Sequence, residues 1–230
     1  MKKLLSLVLA LMLALSLTAC DKAEPTLSDE VLKGTWSMSC DLSKALEASS
    51  DLASSLMGAD MPESALSALS DANLTFKMLL VFNGEGKMSV LLEKENFSEL
   101  MNNMLDALLT EETMYAIYEA QGISREDADA MFSANGMDMN SVIAMTKLQL
   151  SSMDFVELAF PDAGDGDYIS TGSSQVYRID GNKLTTDGMS LDYDGTNLIL
   201  SEVEDPESTG VDLTDMLPLT IQKVSDKTDY

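Results

Sequence analysis

A cysteine that follows an apolar leader is the residue whose type and position point to a defined chemical reaction. The run Leu4–Leu17 is apolar except for two serines, and Lys2 and Lys3 precede it. This layout is typical of a secretory signal peptide. The run is shorter than the roughly 20 apolar residues of a membrane-spanning helix, and it ends in small residues before Cys20. The sequence therefore predicts an exported protein whose leader is removed.

The residues LTAC at 17–20 resemble the lipobox of bacterial lipoproteins, and every position of that pattern is matched. The resemblance implies that the Cys20 thiol receives a diacylglyceryl group and that cleavage falls between Ala19 and Cys20. Palmitate and other acyl chains then hold the protein on the outer face of the cell membrane, or on the periplasmic side in a Gram-negative cell. Two or three chains anchor stably, at about 0.8 kcal/mol per buried CH₂. The alternative is an ordinary signal peptide in which Cys20 is a chance residue.

Composition excludes several function classes. Without residues 1–19 the chain keeps 12 basic and 39 acidic residues, a net charge of −27. Such a surface repels nucleic acid and anionic headgroups, so the anchor must supply any membrane contact. Histidine is absent, which removes Ser-His and Cys-His catalysis and the commonest zinc ligand. We expect no catalytic residues, no metal and no cofactor.

The elements that surround this stretch form a leader, a tether and one domain with two helical insertions. Their boundaries are 1–19, 20–30 and 31–230, with the insertions at about 42–72 and 96–153. We expect an α+β fold whose eight or nine strands form an antiparallel meander β-barrel.

Alternating apolar residues predict the strands. Trp36, Met38 and Cys40 share one face of the first strand, and an Asn-Gly turn joins the two strands of a hairpin at 73–94. Further short strands are predicted from 155–160 onward, and the final residues are predicted to be a polar tail.

Helical spacing and capping residues predict the insertions. Pro62 is placed in the first turn of a helix at 62–71, and four helices are expected within 96–153. Their predicted N-caps are Asn96 or Ser98, Thr110, Ser124, and Asp138 or Asn140. The apolar face of the fourth is predicted to comprise Val142, Ile143, Met145, Leu148 and Leu150.

The residues Gly34-Thr35-Trp36 resemble the G-x-W sequence that opens lipocalins. In that superfamily a basic residue on the last strand covers the tryptophan, and Lys223 is the matching residue here. The resemblance implies a lipocalin-like barrel with a cavity for a small apolar ligand. Two features depart from the pattern: the helical insertion in mid-barrel, and an acidic loop where lipocalins place a helix.

Two other groups of residues were weighed as sites. Asp162, Asp165 and Asp167 lie in one loop, but their spacing does not fit an EF-hand, and we interpret them as a surface turn. Cys40 lies on the predicted inward face and is interpreted as an unreactive core thiol.

The expected function is non-catalytic binding of a small apolar ligand or an envelope protein. The alternative is a structural lipoprotein whose helical insert docks a partner and which has no ligand cavity.

Overall fold

The sheet of this computed structural model is antiparallel and contains every strand of the described residues, which are 26–43, 62–172, 174–186, 188–203 and 217–230. The strands are β1 (Gly34–Asp41), β2 (Thr75–Phe82), β3 (Lys87–Glu93), β4 (Tyr168–Ser170), β5 (Gln175–Val176), β6 (Arg178–Asp180), β7 (Lys183–Thr185), β8 (Met189–Tyr193), β9 (Asn197–Val203) and β10 (Leu219–Ser225).

The strand order is that of a meander whose first and last strands are neighbours. It runs β4-β3-β2-β1-β10-β9-β8-β7-β6, and β5 pairs with β3 beside this path. The sheet is curled into a half-barrel, and helices accompany it. The expected α+β architecture and antiparallel meander are confirmed at this level.

One short segment connects the two ends of the curled sheet. Residues Gln175 and Val176 pair with β3, whereas residues 178–180 pair with β7 on the opposite edge. Between them, the Tyr177 backbone N–H donates to the Gly86 carbonyl at 3.1 Å. The segment 175–180 therefore bridges the half-barrel at one corner.

The inner face of the half-barrel carries the main apolar core. Successive side chains of a strand point to opposite faces, so alternate residues face inward. Trp36, Met38 and Cys40 of β1 are buried as predicted. They pack with inward residues of the other strands, namely Leu80, Phe82, Met88, Tyr177, Leu184, Leu191, Leu198, Leu200 and Ile221.

A short helix closes one end of this core. Helix α1 (Asp29–Leu32) begins at Ser28, whose side chain accepts from the Val31 N–H, and Leu32 is fully buried. Leu27 is also buried, and its backbone N–H donates to the Asn182 side chain at 3.0 Å. The folded part thus includes residues from Leu27, although the sequence assigned 20–30 to a tether.

The helices after α1 fall where the insertions were expected, apart from the last. They are α2 (Glu63–Ser70), α3 (Lys94–Leu108), α4 (Glu111–Ala120), α5 (Arg125–Ser133), α6 (Met139–Ser151) and α7 (Phe155–Ala159). Side chains of Thr110, Ser124 and Asp138 cap α4, α5 and α6, which confirms those three predictions. Of the first insertion expected at about 42–72, residues 44–61 lie outside the described residues.

The helical insert is arranged in two tiers above the sheet. Its inner tier is formed by α2, α3 and α7, which pack against β2, β3 and β4 through Phe76, Leu92 and Ile169. Its outer tier is formed by α4, α5 and α6, which have a core of their own around Tyr115, Phe132, Met139 and Ile143. The outer tier is therefore separated from the sheet by another layer of helix.

Two sequence predictions in this region are wrong. Residues 155–160 were expected to form a strand, but Phe155–Ala159 is helix α7, because the Asp154 side chain accepts from the Val156 and Glu157 N–H groups. Asn96 does not cap α3, which begins two residues earlier at Lys94. Its buried amide instead accepts from the Lys77 N–H at 2.8 Å and donates to the Thr75 carbonyl, so it fastens α3 to β2.

The final residues pack on the outer face of the sheet, where a polar tail was predicted. Tyr230 lies edge-on to Tyr168, with ring centroids 4.7 Å apart. The Thr35 hydroxyl donates to the Lys227 carbonyl at 2.7 Å and lies 2.6 Å from the Tyr230 hydroxyl. Residues 227–230 are therefore bonded to β1 and packed on β4.

Candidate functional site

The lipobox lies outside the described residues. Cys20 and the cleavage position at Ala19 both precede residue 26, where the description begins. The assignment of a lipid at Cys20 remains a prediction. Within the described residues, no helix is both long and apolar enough to span a bilayer.

Trp36 of the G-x-W sequence lies in the core at the end closed by α1. Its indole N–H donates to the Leu32 carbonyl at 2.7 Å. Its ring meets Phe82 edge-on at 6.5 Å, and Phe82 in turn meets Tyr177 edge-on at 5.3 Å. The tryptophan therefore joins α1, β2 and the bridging segment 175–180 in one aromatic cluster.

Lys223 is the cross-strand partner of Trp36 in the register between β1 and β10. Its ammonium group forms an ion pair with Asp226 at 2.9 Å and donates to the Val31 carbonyl at 3.4 Å. The ion pair lowers the pKa of the Asp226 carboxyl. Lys223 thus lies beside β1 and α1. Its ammonium group contacts an oxygen atom of α1 and an oxygen atom of the residue that follows β10.

Gly34 occupies a position that other residues would strain. Its φ of +127° is in a region that favours glycine, and a Cβ there would lie 2.4 Å from the Ser225 carbonyl oxygen. The Lys223 side chain would be 3.0 Å from the same atom. Gly34, Trp36 and Lys223 therefore meet in one place, and the reason for glycine is the close approach of β10.

Cys40 is a buried thiol at the far end of β1. Burial raises its pKa to about 11, so the thiol is protonated at neutral pH. It is free and lies among apolar side chains of the core. Its environment matches the unreactive core thiol that the sequence predicted.

Two surface grooves lie on the helical insert, and charged side chains contribute to the lining of both. One, of about 630 Å³, lies between α2, α4 and α5 and contains Glu111, Glu119 and Tyr115. Arg125 fills part of it, stacking 4.0 Å from the Tyr115 ring and pairing with Glu111 at 3.0 Å. Arg125, Tyr115 and Glu111 are thus engaged with one another in this groove.

The second groove, of about 640 Å³, lies beside the loop that carries Asp162 and Asp165. Here Lys94 donates to the Gly164 carbonyl at 2.6 Å. Among the described residues, no three His, Cys, Asp or Glu side chains come together as a metal site would require. Neither groove opens into the aromatic cluster around Trp36.

Most of the large apolar side chains that are exposed belong to the later part of the insert sequence. Of the eight large apolar residues that are exposed among the described residues, five lie between 131 and 158. They are Met131, Met145, Leu148, Met153 and Leu158. Met145 and Leu148 are the pair that shares a helix, with exposed fractions of 62% and 74%.

Helix α6 is apolar on two sides. Met139 and Ile143 point into the outer-tier core, whereas Met145 and Leu148 lie one turn apart on the solvent side. Ser141 and Ser152, which are also exposed, lie at the two ends of the same stripe. We call the stripe formed by 141, 145, 148 and 152 the α6 face.

The sequence contained the signal for the α6 face. The predicted apolar face comprises Val142, Ile143, Met145, Leu148 and Leu150, yet Leu148 is five residues after Ile143, about 140° around a helix from it. A helix that is apolar all round is usually buried on more than one side. The correct prediction from this spacing is a second apolar face.

Comparison of the chain with protein-family models, with curated proteins and with solved structures gave no match.

Proposed function

We propose that this protein is a non-catalytic lipoprotein of the cell envelope, anchored through Cys20, whose helical insert docks a partner protein. The observation that carries the proposal is the exposure of Met145 and Leu148, which lie one turn apart on α6 and are both more than half exposed. Scattered exposed apolar residues need no explanation, but neighbouring ones often mark interaction sites. Docking by the insert was the alternative function expected from the sequence, and it has the stronger support.

The small-ligand version has less support. The inward side chains of the half-barrel pack against one another. The members of this core, among them Trp36 and Ile221, are almost fully buried. An apolar ligand there would have to displace closely packed side chains, which costs free energy. Native mass spectrometry of the purified protein tests this version: a lipid that co-purifies in stoichiometric amount would favour it over docking.

The relationship to lipocalins belongs to the same proposal. It is supported by the G-x-W residues, by the pairing of Trp36 with Lys223, and by the adjacency of β1 and β10. In this proposal the half-barrel supports the helical insert, and its interior is filled by its own side chains. An experimental structure of a complex would test whether the insert, and not the barrel, contacts the partner.

The anchor is tested by labelling cells with radioactive palmitate. We expect label in the wild-type protein and none in Cys20→Ala, and we expect this variant to leave the membrane fraction. Cys40→Ala is the matched control, because it removes the other cysteine and should keep full labelling. Unchanged labelling of Cys20→Ala would contradict the lipid assignment.

Docking is tested by photocrosslinking in cells. A photoreactive amino acid at position 148 is expected to give a discrete crosslinked band, because Leu148 is the most exposed apolar residue of the α6 face. The matched control places the same group at position 224, since Val224 is exposed to a similar degree on β10. Equal or absent crosslinking at the two positions would contradict docking by the insert.

A further inference from the structure

The α6 face lies on an insert whose helices carry many more acidic than basic side chains. Residues 94–160 contain 12 acidic and three basic side chains. An apolar stripe within such a surface fits a partner that is apolar on one side and basic around it. The composition of the insert therefore restricts the class of partner.

The three basic side chains of 94–160 are already bound within the insert. Arg125 pairs with Glu111 at 3.0 Å, and Lys147 pairs with Asp106 at 2.8 Å. Lys94 donates to the Gly164 carbonyl at 2.6 Å. Lys147 adjoins Leu148 on α6, and its positive charge would repel a basic partner at the α6 face. The ion pair with Asp106 neutralises that charge.

The exposed pair on α6 has the geometry of a helix-recognition surface. Met145 and Leu148 are separated by about 4.5 Å along the helix axis, which matches the spacing of apolar residues one turn apart on a second helix. Methionine is flexible and polarisable, so it adapts to different apolar partners. The two serines are about three turns apart, so the apolar part of the stripe is the single turn from Met145 to Leu148.

We infer that the α6 face binds an amphipathic helical segment of a partner protein whose polar side carries Lys and Arg. The inference rests on the proposed docking function and adds the chemistry of the partner to it. Apolar residues of the segment cover Met145 and Leu148, and its cations face carboxylates of the insert. This is the arrangement in which an amphipathic helix lies on an apolar surface with complementary charge around it.

Two other occupants are less compatible with the charges. A second copy of the chain would bring the same 12 acidic and three basic side chains against the first, and like charges repel. An anionic bilayer would repel the insert for the same reason. The basic amphipathic segment is the occupant that gains from both the apolar stripe and the acidic surroundings.

The test uses the chain without its leader, in the Cys20→Ala form, which keeps every residue of the described fold. The probe is a fluorescently labelled helical peptide with leucines on one side and lysines on the other, followed by anisotropy. The Met145→Gln/Leu148→Gln double variant is expected to bind about tenfold more weakly than the parent, because buried apolar anchors carry most of the binding free energy at such contacts. Binding should also weaken as salt increases.

The matched control is Val176→Gln/Val224→Gln, which makes the same kind of change at exposed apolar residues of the sheet. We expect binding within twofold of the parent, and no binding of a peptide in which every lysine is replaced by glutamate. Urea unfolding of both double variants verifies that the fold is retained. Equal binding of the lysine peptide to both double variants would overturn the inference, as would tighter binding of the glutamate peptide.

The remaining outcomes separate this inference from the proposed function. If crosslinking at position 148 persists in cells while the lysine peptide shows no preference, docking stands and the basic partner is wrong. If the purified chain sediments as a dimer that Leu148→Gln dissociates, the occupant is a second copy. Flotation with phosphatidylcholine vesicles that depends on Leu148 would identify a lipid surface instead.

Discussion

The inner face of the half-barrel and the α6 face of the insert use the same kinds of side chain for opposite purposes. On the inner face, Trp36, Met88 and Leu198 are almost completely buried and belong to one apolar cluster, although they come from different strands. On the α6 face, Met145 and Leu148 are more than half exposed, and α6 is held from its other side by Met139 and Ile143. Burial therefore distinguishes a structural apolar residue from a candidate contact residue, whereas residue type does not.

The largest expected difference between the two regions comes from Trp36→Ala. We expect it to lower the free energy of unfolding by about 3 to 5 kcal/mol, because it leaves a cavity and removes the indole hydrogen bond to Leu32. Urea unfolding followed by circular dichroism measures the loss. Trp36→Phe keeps a ring in the cluster and should lose less; equal losses would contradict the role of packing.

Gly34→Ala should be the next most disruptive change. We expect a loss of about 3 kcal/mol in unfolding free energy, because the added Cβ meets the Ser225 carbonyl and the backbone has a positive φ. Gly136→Ala is the matched control in the insert. It also has a positive φ, +69°, but open space around it, so about 1 kcal/mol is expected. A similar loss in both variants would show that the contact with β10 does not matter.

The Cys40 thiol should make the stability of the half-barrel sensitive to alkaline pH. Its folded-state pKa is raised by burial from 9.0 to about 11, so the unfolded chain loses the proton first as pH rises. The contribution, about 2 to 3 kcal/mol, is present below pH 9 and is lost as pH rises to 11. Urea midpoints measured from pH 8 to 11 should fall more steeply for the wild type than for Cys40→Ala. Parallel curves would contradict this assignment.

The smallest expected effect on stability is that of Leu148→Ala. We expect a change within about 0.5 kcal/mol of unfolding free energy, because the side chain is already 74% exposed. Leu198→Ala is the matched change on the inner face, where the same truncation should cost about 2 to 5 kcal/mol. A large loss for Leu148→Ala would show that the α6 face is part of the core, and it would remove the basis for docking.

Local patterns in the sequence predicted much of the secondary structure. The alternation of Trp36, Met38 and Cys40 and the Asn-Gly turn at 83–84 identified β1 and the hairpin correctly. The caps at Thr110, Ser124 and Asp138 identified three helices, because a side-chain acceptor at an N-cap acts within its own turn. These signals depend on neighbours in the chain, which a single sequence displays.

Features that depend on distant contacts could not be predicted in the same way. The error at 155–160 is a local one, because the apolar run is too short to distinguish a strand from a helix by periodicity and the Asp154 cap decides for helix. The other errors depend on contacts between distant positions. The bond from Asn96 to β2 joins positions 19 residues apart, and the packing of Tyr230 on Tyr168 joins positions in separate elements. Which side of α6 faces the core depends likewise on how α4 and α5 are placed around it.

The hydrogen bond between Leu27 and Asn182 sets the length of the linker that would connect the folded domain to a lipid on Cys20. Six residues lie between Cys20 and Leu27, and the seven steps from one Cα to the next can span at most about 25 Å when fully extended. With a lipid on Cys20, the end of the half-barrel that α1 closes would stay within that distance of the bilayer. The insert could then contact only partners that lie within about the height of the domain from the membrane surface, because no long flexible linker would extend its reach.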